Sequence, residues 1–80
     1  MQTVELKADI SGAGSPLLLL HGFPDTRKMW QQVTPFFNAE NYQVIAADMR
    51  GFGDSPMPSE KKDYKVELVI ADLIELLKSN

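Results

Sequence analysis

Eighty residues, 44% hydrophobic and 24% charged, have the length and balance of one small folded domain and exclude a disordered chain. The absence of cysteine excludes a disulfide framework and a thiolate metal site, and a net charge of −3 offers no basic face for nucleic acid. So short a chain buries only a modest core and is marginal unless a partner adds stability.

Val4, Leu6, Ala8 and Ile10 alternate with Glu5, Lys7 and Asp9, a period of two that predicts a half-buried strand rather than a signal-peptide hydrophobic region. Residues 11–16, SGAGSP, are a turn in which two glycines are free to take positive φ and a proline cannot continue a ladder. Leu17, Leu18, Leu19 and Leu20 form an apolar run without alternation, which predicts a strand covered on both faces. The run is far shorter than the ~20 apolar residues of a membrane span, so a cytoplasmic protein with no membrane contact is expected.

After His21-Gly22-Phe23-Pro24, Asp25 or Thr26 can cap a helix whose apolar positions are Met29, Trp30 and Val33. Pro35 cannot lie inside that helix. Thr34 as N-cap and Pro35 as first helical residue predict a restart that turns Phe36 and Phe37 toward the core. Val44, Ile45, Ala46 and Ala47 predict a second buried strand, ending at residues 48–55, DMRGFGDS. Residues 56–63 read as a proline-punctuated loop, with Lys61 and Lys62 solvated between Glu60 and Asp63.

From about Tyr64 the pattern is helical, with Val66, Val69, Ile70, Leu73 and Leu77 at i, i+3, i+4, i+7 and i+11. Leu68, Ile74 and Leu76 widen the apolar stripe, which predicts a helix covered by more protein than these residues supply. The order strand, strand, helix, strand, helix, with two buried strands joined by a crossover helix, places the chain in the α/β class.

Strand-HGFP-helix followed by strand-D-x-R-G-x-G-x-S closely resembles the N-terminal part of the α/β-hydrolase fold, in its epoxide-hydrolase-like branch. Trp30 stands in the intervening helix, where many members carry one. The resemblance covers residues 1–80 as part of a single domain and implies a partial sheet that stops before the nucleophile elbow. HGFP is typical of epoxide hydrolases, related haloacetate dehalogenases and esterase-like members. Haloalkane dehalogenases usually carry asparagine where Phe23 stands, which argues against that branch. The resemblance makes the backbone N–H of Phe23 one of two oxyanion-hole donors and places Phe23 and Pro24 in the substrate pocket. It gives His21, Gly22, Asp48, Arg50, Gly51, Gly53 and Ser55 a role in holding the motifs in shape. It implies a small apolar substrate for a complete enzyme, with no cofactor or metal.

The nucleophile in this fold sits on a strained turn with small residues two places either side. No such elbow occurs here: Ser55 ends a G-x-G-x-S, and Phe52 and Pro56 flank Asp54 where small residues are needed. His21, the only histidine, belongs to the HG motif, so no base remains to activate a nucleophile or a water. Asp48 is not the ribose-binding acid of a dinucleotide fold, because Pro56 stands where the third glycine of G-x-G-x-x-G should be. Asp48 and Arg50 read instead as loop-stabilising partners, Ser55 as a turn or cap residue, and Trp30, Phe36 and Phe37 as core. Met49, Phe52 and Met57 read as loop anchors or as a cluster that touches substrate.

Two readings follow. In one, the chain is the N-terminal piece of an epoxide-hydrolase-like enzyme and is inactive alone. In the other, it is a stand-alone binding module or half of a split hydrolase completed by a partner chain. In the family's strand order, the strand at residues 17–20 pairs on its far side with the strand that carries the nucleophile. Lacking that neighbour, its apolar edge predicts poor folding or self-association through Leu17 to Leu20.

Overall fold

The computed structural model describes residues 3–22 and 24–79. Strands β1 (Ala8–Ser11), β2 (Ser15–Leu20) and β3 (Tyr42–Ala47) form one sheet in the order β1-β3-β2. β3 runs antiparallel to β1 and parallel to β2, so that Ala47 is opposite both Ala8 and Leu20. The central position of β3 follows from its sequence: Val44, Ile45, Ala46 and Ala47 are buried and tolerate cover on both faces. Only residues 8–11 of the predicted first strand enter the ladder. Lys7 extends it by one bond, its carbonyl accepting the Asp48 N–H at 2.9 Å, while Val4 and Leu6 turn toward the last helix.

Between β2 and β3 the chain crosses through a 3-10 turn (Arg27–Trp30) and helix α1 (Thr34–Ala39). Thr26 caps the turn, its hydroxyl accepting from the Lys28 N–H. Thr34 is not the N-cap of α1; that residue is Val33, and the Thr34 hydroxyl donates back to the Trp30 carbonyl at 2.8 Å. Pro35 lies in the first turn, where its missing N–H costs nothing. Phe36 does not point to the core: it is 74% exposed, whereas Phe37 is half-buried and meets Tyr42 edge-on. Consecutive helical residues are rotated by about 100°, so one short helix cannot aim both rings at the sheet. Asn38 instead docks α1, donating to the carbonyls of Ser11 and Tyr42.

Two expectations are corrected by exposure. Leu17, Leu18 and Leu19 are only half-buried and Leu20 is exposed, so β2 is not covered on both faces by the described residues. In helix α2 (Val66–Lys78), the inward line is Leu68, Val69, Asp72, Leu73 and Leu76. Val66, Ile70, Ile74 and Leu77 form an exposed apolar line, in keeping with a helix whose stripe exceeds its cover here. No helix of the described residues is long and apolar enough to cross a membrane.

Candidate functional site

Because β2 and β3 are parallel and in register, His21 and Asp48 leave the sheet side by side at its carboxyl edge. Loops at that edge are where open α/β sheets hold ligands. His21 Nε2 accepts the Met49 N–H at 2.9 Å, which places the ring proton on Nδ1, 3.2 Å from the Gly22 carbonyl. Phe52 packs against the ring edge-on, with centroids 5.0 Å apart. The ring is half-buried, and both nitrogens meet backbone. It therefore bridges the two loops and has no lone pair left for a nucleophile.

Asp48 is completely buried, and among the described residues its carboxylate accepts three hydrogen bonds. Oδ1 takes the Arg27 N–H at 2.6 Å; Oδ2 takes the Asp54 N–H at 2.8 Å and the Arg27 guanidinium. Burial alone would raise its pKa; the hydrogen bonds from the Arg27 and Asp54 N–H groups and the guanidinium outweigh it and hold the carboxyl below the usual range. Arg27 also meets Asp54 at 3.1 Å, and its Nε lies 3.0 Å from Asp9 Oδ2, an ion-pair distance outside hydrogen-bond alignment. Burial works against the guanidinium charge, but three carboxylates raise its pKa. Gly53, at φ +52°, leaves room for this arrangement, since a Cβ there would stand 2.2 Å from Asp48 Oδ2.

Ser55 is buried and closes the same loop, donating to the Asp48 carbonyl at 2.6 Å and accepting the Lys7 N–H at 2.9 Å. Asp48 is held by Arg27 and Asp54, and Arg50 has separate partners. Arg50 turns to α2, where Nε and Nη2 grip the Asp72 carboxylate at 2.6 and 2.8 Å, and Nη1 donates to the Asp63 carbonyl. The hydrogen bond to Asp72 dominates over burial and raises the Arg50 pKa. Gly51, at φ +82°, sits where a Cβ would meet the Tyr64 ring at 2.6 Å.

Pro24 is exposed beside a turn closed by the Asp25 N–H on the Gly22 carbonyl at 2.8 Å. A Cβ on Gly22 would meet nothing within 4 Å. Phe23, the expected oxyanion donor and pocket residue, lies outside the described residues. Met57 is exposed; Trp30 is half-buried, with no acceptor for its indole N–H among the described residues. Two clefts, of about 660 and 300 Å³, lie beside the N-terminal segment and behind the 3-10 turn, and neither is lined by His21, Gly22 or Pro24. No group of three His, Asp or Glu that could hold a metal occurs among the described residues.

Sequence reasoning missed Arg27 and Asp72, the two residues that partner Asp48 and Arg50. Asp72 carried a usable signal: a carboxylate centred in an apolar helical stripe is buried, and a buried charge needs a partner. Arg27 carried none, because its partners come from three distant segments.

The alpha/beta hydrolase fold family model matches residues 15–78. Mouse epoxide hydrolase 4 is 43% identical over 67 residues, 82% of this chain and 18% of that protein. A fluoroacetate dehalogenase from Burkholderia sp is 38% identical over 79 residues, 95% of this chain and 26% of its own length. The structure of an epoxide hydrolase from Vigna radiata superposes with a TM-score of 0.86 at 26% identity, covering 95% of this chain and 28% of that one. The chain therefore spans about a fifth to a quarter of the curated relatives it matches.

Proposed function

The chain belongs to the α/β-hydrolase family, and from that membership we propose that it supplies the oxyanion loop and one pocket wall of an epoxide-hydrolase-like enzyme. The observation that carries this reading is the pairing of the loops after β2 and β3, with His21 on Met49 and Arg27 on Asp48. Such bonds hold a loop still, and a preorganised oxyanion donor works only if it does not need to reorganise as charge develops.

In the complete enzyme an aspartate elsewhere in the sheet attacks a carbon of a small apolar epoxide, breaking the ring C–O bond. In a related ester or halide it attacks the alkyl carbon, displacing carboxylate or halide ion; each reaction forms a covalent ester with the aspartate. A histidine-activated water then hydrolyses the covalent ester. The Phe23 N–H serves as one oxyanion donor, and Phe23 and Pro24 line the pocket. One such donor contributes about 3 kcal/mol in a complete site. Alone it accelerates nothing, because these 80 residues form no tetrahedral intermediate.

The test is a graft: residues 1–80 joined to the part of the Burkholderia fluoroacetate dehalogenase beyond the matching region. The grafted enzyme is expected to fold and to release fluoride from fluoroacetate, while the 80-residue chain alone does neither this nor epoxide or ester hydrolysis. A folded graft that turns over neither substrate class would refute the reading.

A further inference from the structure

We propose that Arg27 is a positioning residue for the loop at residues 22–26, holding that loop from its far stem; the proposal rests on the oxyanion-loop reading above. The loop has two stems, His21 and Arg27, and both are fastened to one dipeptide, Asp48-Met49. His21 Nε2 accepts the Met49 N–H at 2.9 Å, and the Arg27 N–H donates to Asp48 Oδ1 at 2.6 Å. That dipeptide is itself referenced to the sheet: the Asp48 N–H is bound to the Lys7 carbonyl at 2.9 Å, and the Asp48 carbonyl accepts from Ser55 at 2.6 Å. The loop is therefore measured from the centre of the fold.

Arg27 does more than close the second stem. Its side chain, about 8% exposed, grips the other oxygen of Asp48, reaches Asp54 Oδ2 at 3.1 Å and faces Asp9 Oδ2 at 3.0 Å. The stem is thereby tied to β1, to the end of β3 and to the loop beyond it. A guanidinium can bridge several carboxylates from one planar group; an ammonium is a point charge and cannot fix the same directions. Within the loop, the Asp25 N–H closes a turn on the Gly22 carbonyl at 2.8 Å, next to the stem that Arg27 holds.

The proposal is tested in the grafted enzyme. Arg27→Gln is expected to lower kcat by about tenfold or more with KM within about twofold, measured well below the melting temperature, because a displacement of ~1 Å at a reacting centre costs up to ~100-fold. Arg27→Lys is expected to recover part of that loss. Hydrogen exchange at the Asp25 amide, bonded to the Gly22 carbonyl, should accelerate while that of residues 44–47 stays unchanged. The milder Asp54→Asn, which loosens the guanidinium without removing it, should lower kcat by about threefold and covers the case in which Arg27→Gln does not fold. An unchanged kcat with a lowered melting temperature, or unchanged exchange at Asp25, would overturn the proposal. If the graft folds but hydrolyses nothing, the enzymatic reading fails, and the exchange measurement still decides the positioning role.

Discussion

Asp72→Asn is the sharpest test of how α2 is held. Asp72 is 1% exposed; Oδ2 accepts Arg50 Nε at 2.6 Å, and Oδ1 accepts Arg50 Nη2 and the Val4 N–H, each at 2.8 Å. Asparagine keeps the shape and one acceptor, enough for Val4, but turns an NH2 toward the guanidinium. Breaking one side of a buried ion pair costs about 3–5 kcal/mol in a thick core. The Arg50 guanidinium keeps its bond to the Asp63 carbonyl, so the lower end, about 3 kcal/mol, applies. A folded domain has about 5–15 kcal/mol in all, so the loss is a large share. In the grafted enzyme, hydrogen-exchange protection of residues 66–78 should fall about a hundredfold, more than that of β3. Replacing both partners, Arg50→Met with Asp72→Leu, should restore protection to within about 1 kcal/mol, because no buried charge is then left unpaired. A loss of less than about threefold in Asp72→Asn would refute the view that this pair fastens α2.

The other expectations concern the loop network and the sheet edge. The folded-state pKa of Asp48 is lowered, so its contribution is present above the unfolded carboxylate value and is lost as pH falls below about 4. Urea melts across that range should show a slope that Asp48→Asn flattens, and equal slopes in both proteins would contradict the assignment. Gly53→Ala places a methyl group against the Asp48 carboxylate at positive φ and should cost about 2 kcal/mol or more in the same melts. Sedimentation of the 80-residue chain alone should show self-association that Leu18→Lys on the β2 edge suppresses, since charge on an edge strand opposes pairing. A monomeric chain with a cooperative melt would contradict the expectation.

What the sequence made legible, and what it hid, divides along the range of the interactions. β3 was readable as a strand because four consecutive apolar residues between turn residues predict one, and the carboxyl-edge loops because their glycines and proline mark turns locally. The width of the apolar stripe of α2 was legible but not its inward line: Val66, Ile70 and Leu77, read as contact positions, are exposed, and Leu68 and Leu76 turn inward instead. The covering of β2 was overestimated, because a leucine run records what a strand can accept and not which neighbours are at hand. Phe36 was misplaced because two adjacent aromatics look equally buried until the helix fixes their angle. The charged pairs Arg27–Asp48 and Arg50–Asp72 join positions more than twenty residues apart. No local period announces such a pairing, and the motif residues Asp48 and Arg50 suggested each other instead.

The central claim is that this chain contributes a positioned loop and one wall to a hydrolase and carries no chemistry of its own. Parallel turnover measurements on the 80-residue chain and the grafted enzyme test it most directly, with fluoroacetate, an aryl epoxide and an aryl ester as substrates. The account predicts fluoride release by the graft and none of the three reactions by the chain alone, with or without His21→Ala. Hydrolysis by the isolated chain that survives His21→Ala but is lost on replacing another of its residues would contradict it.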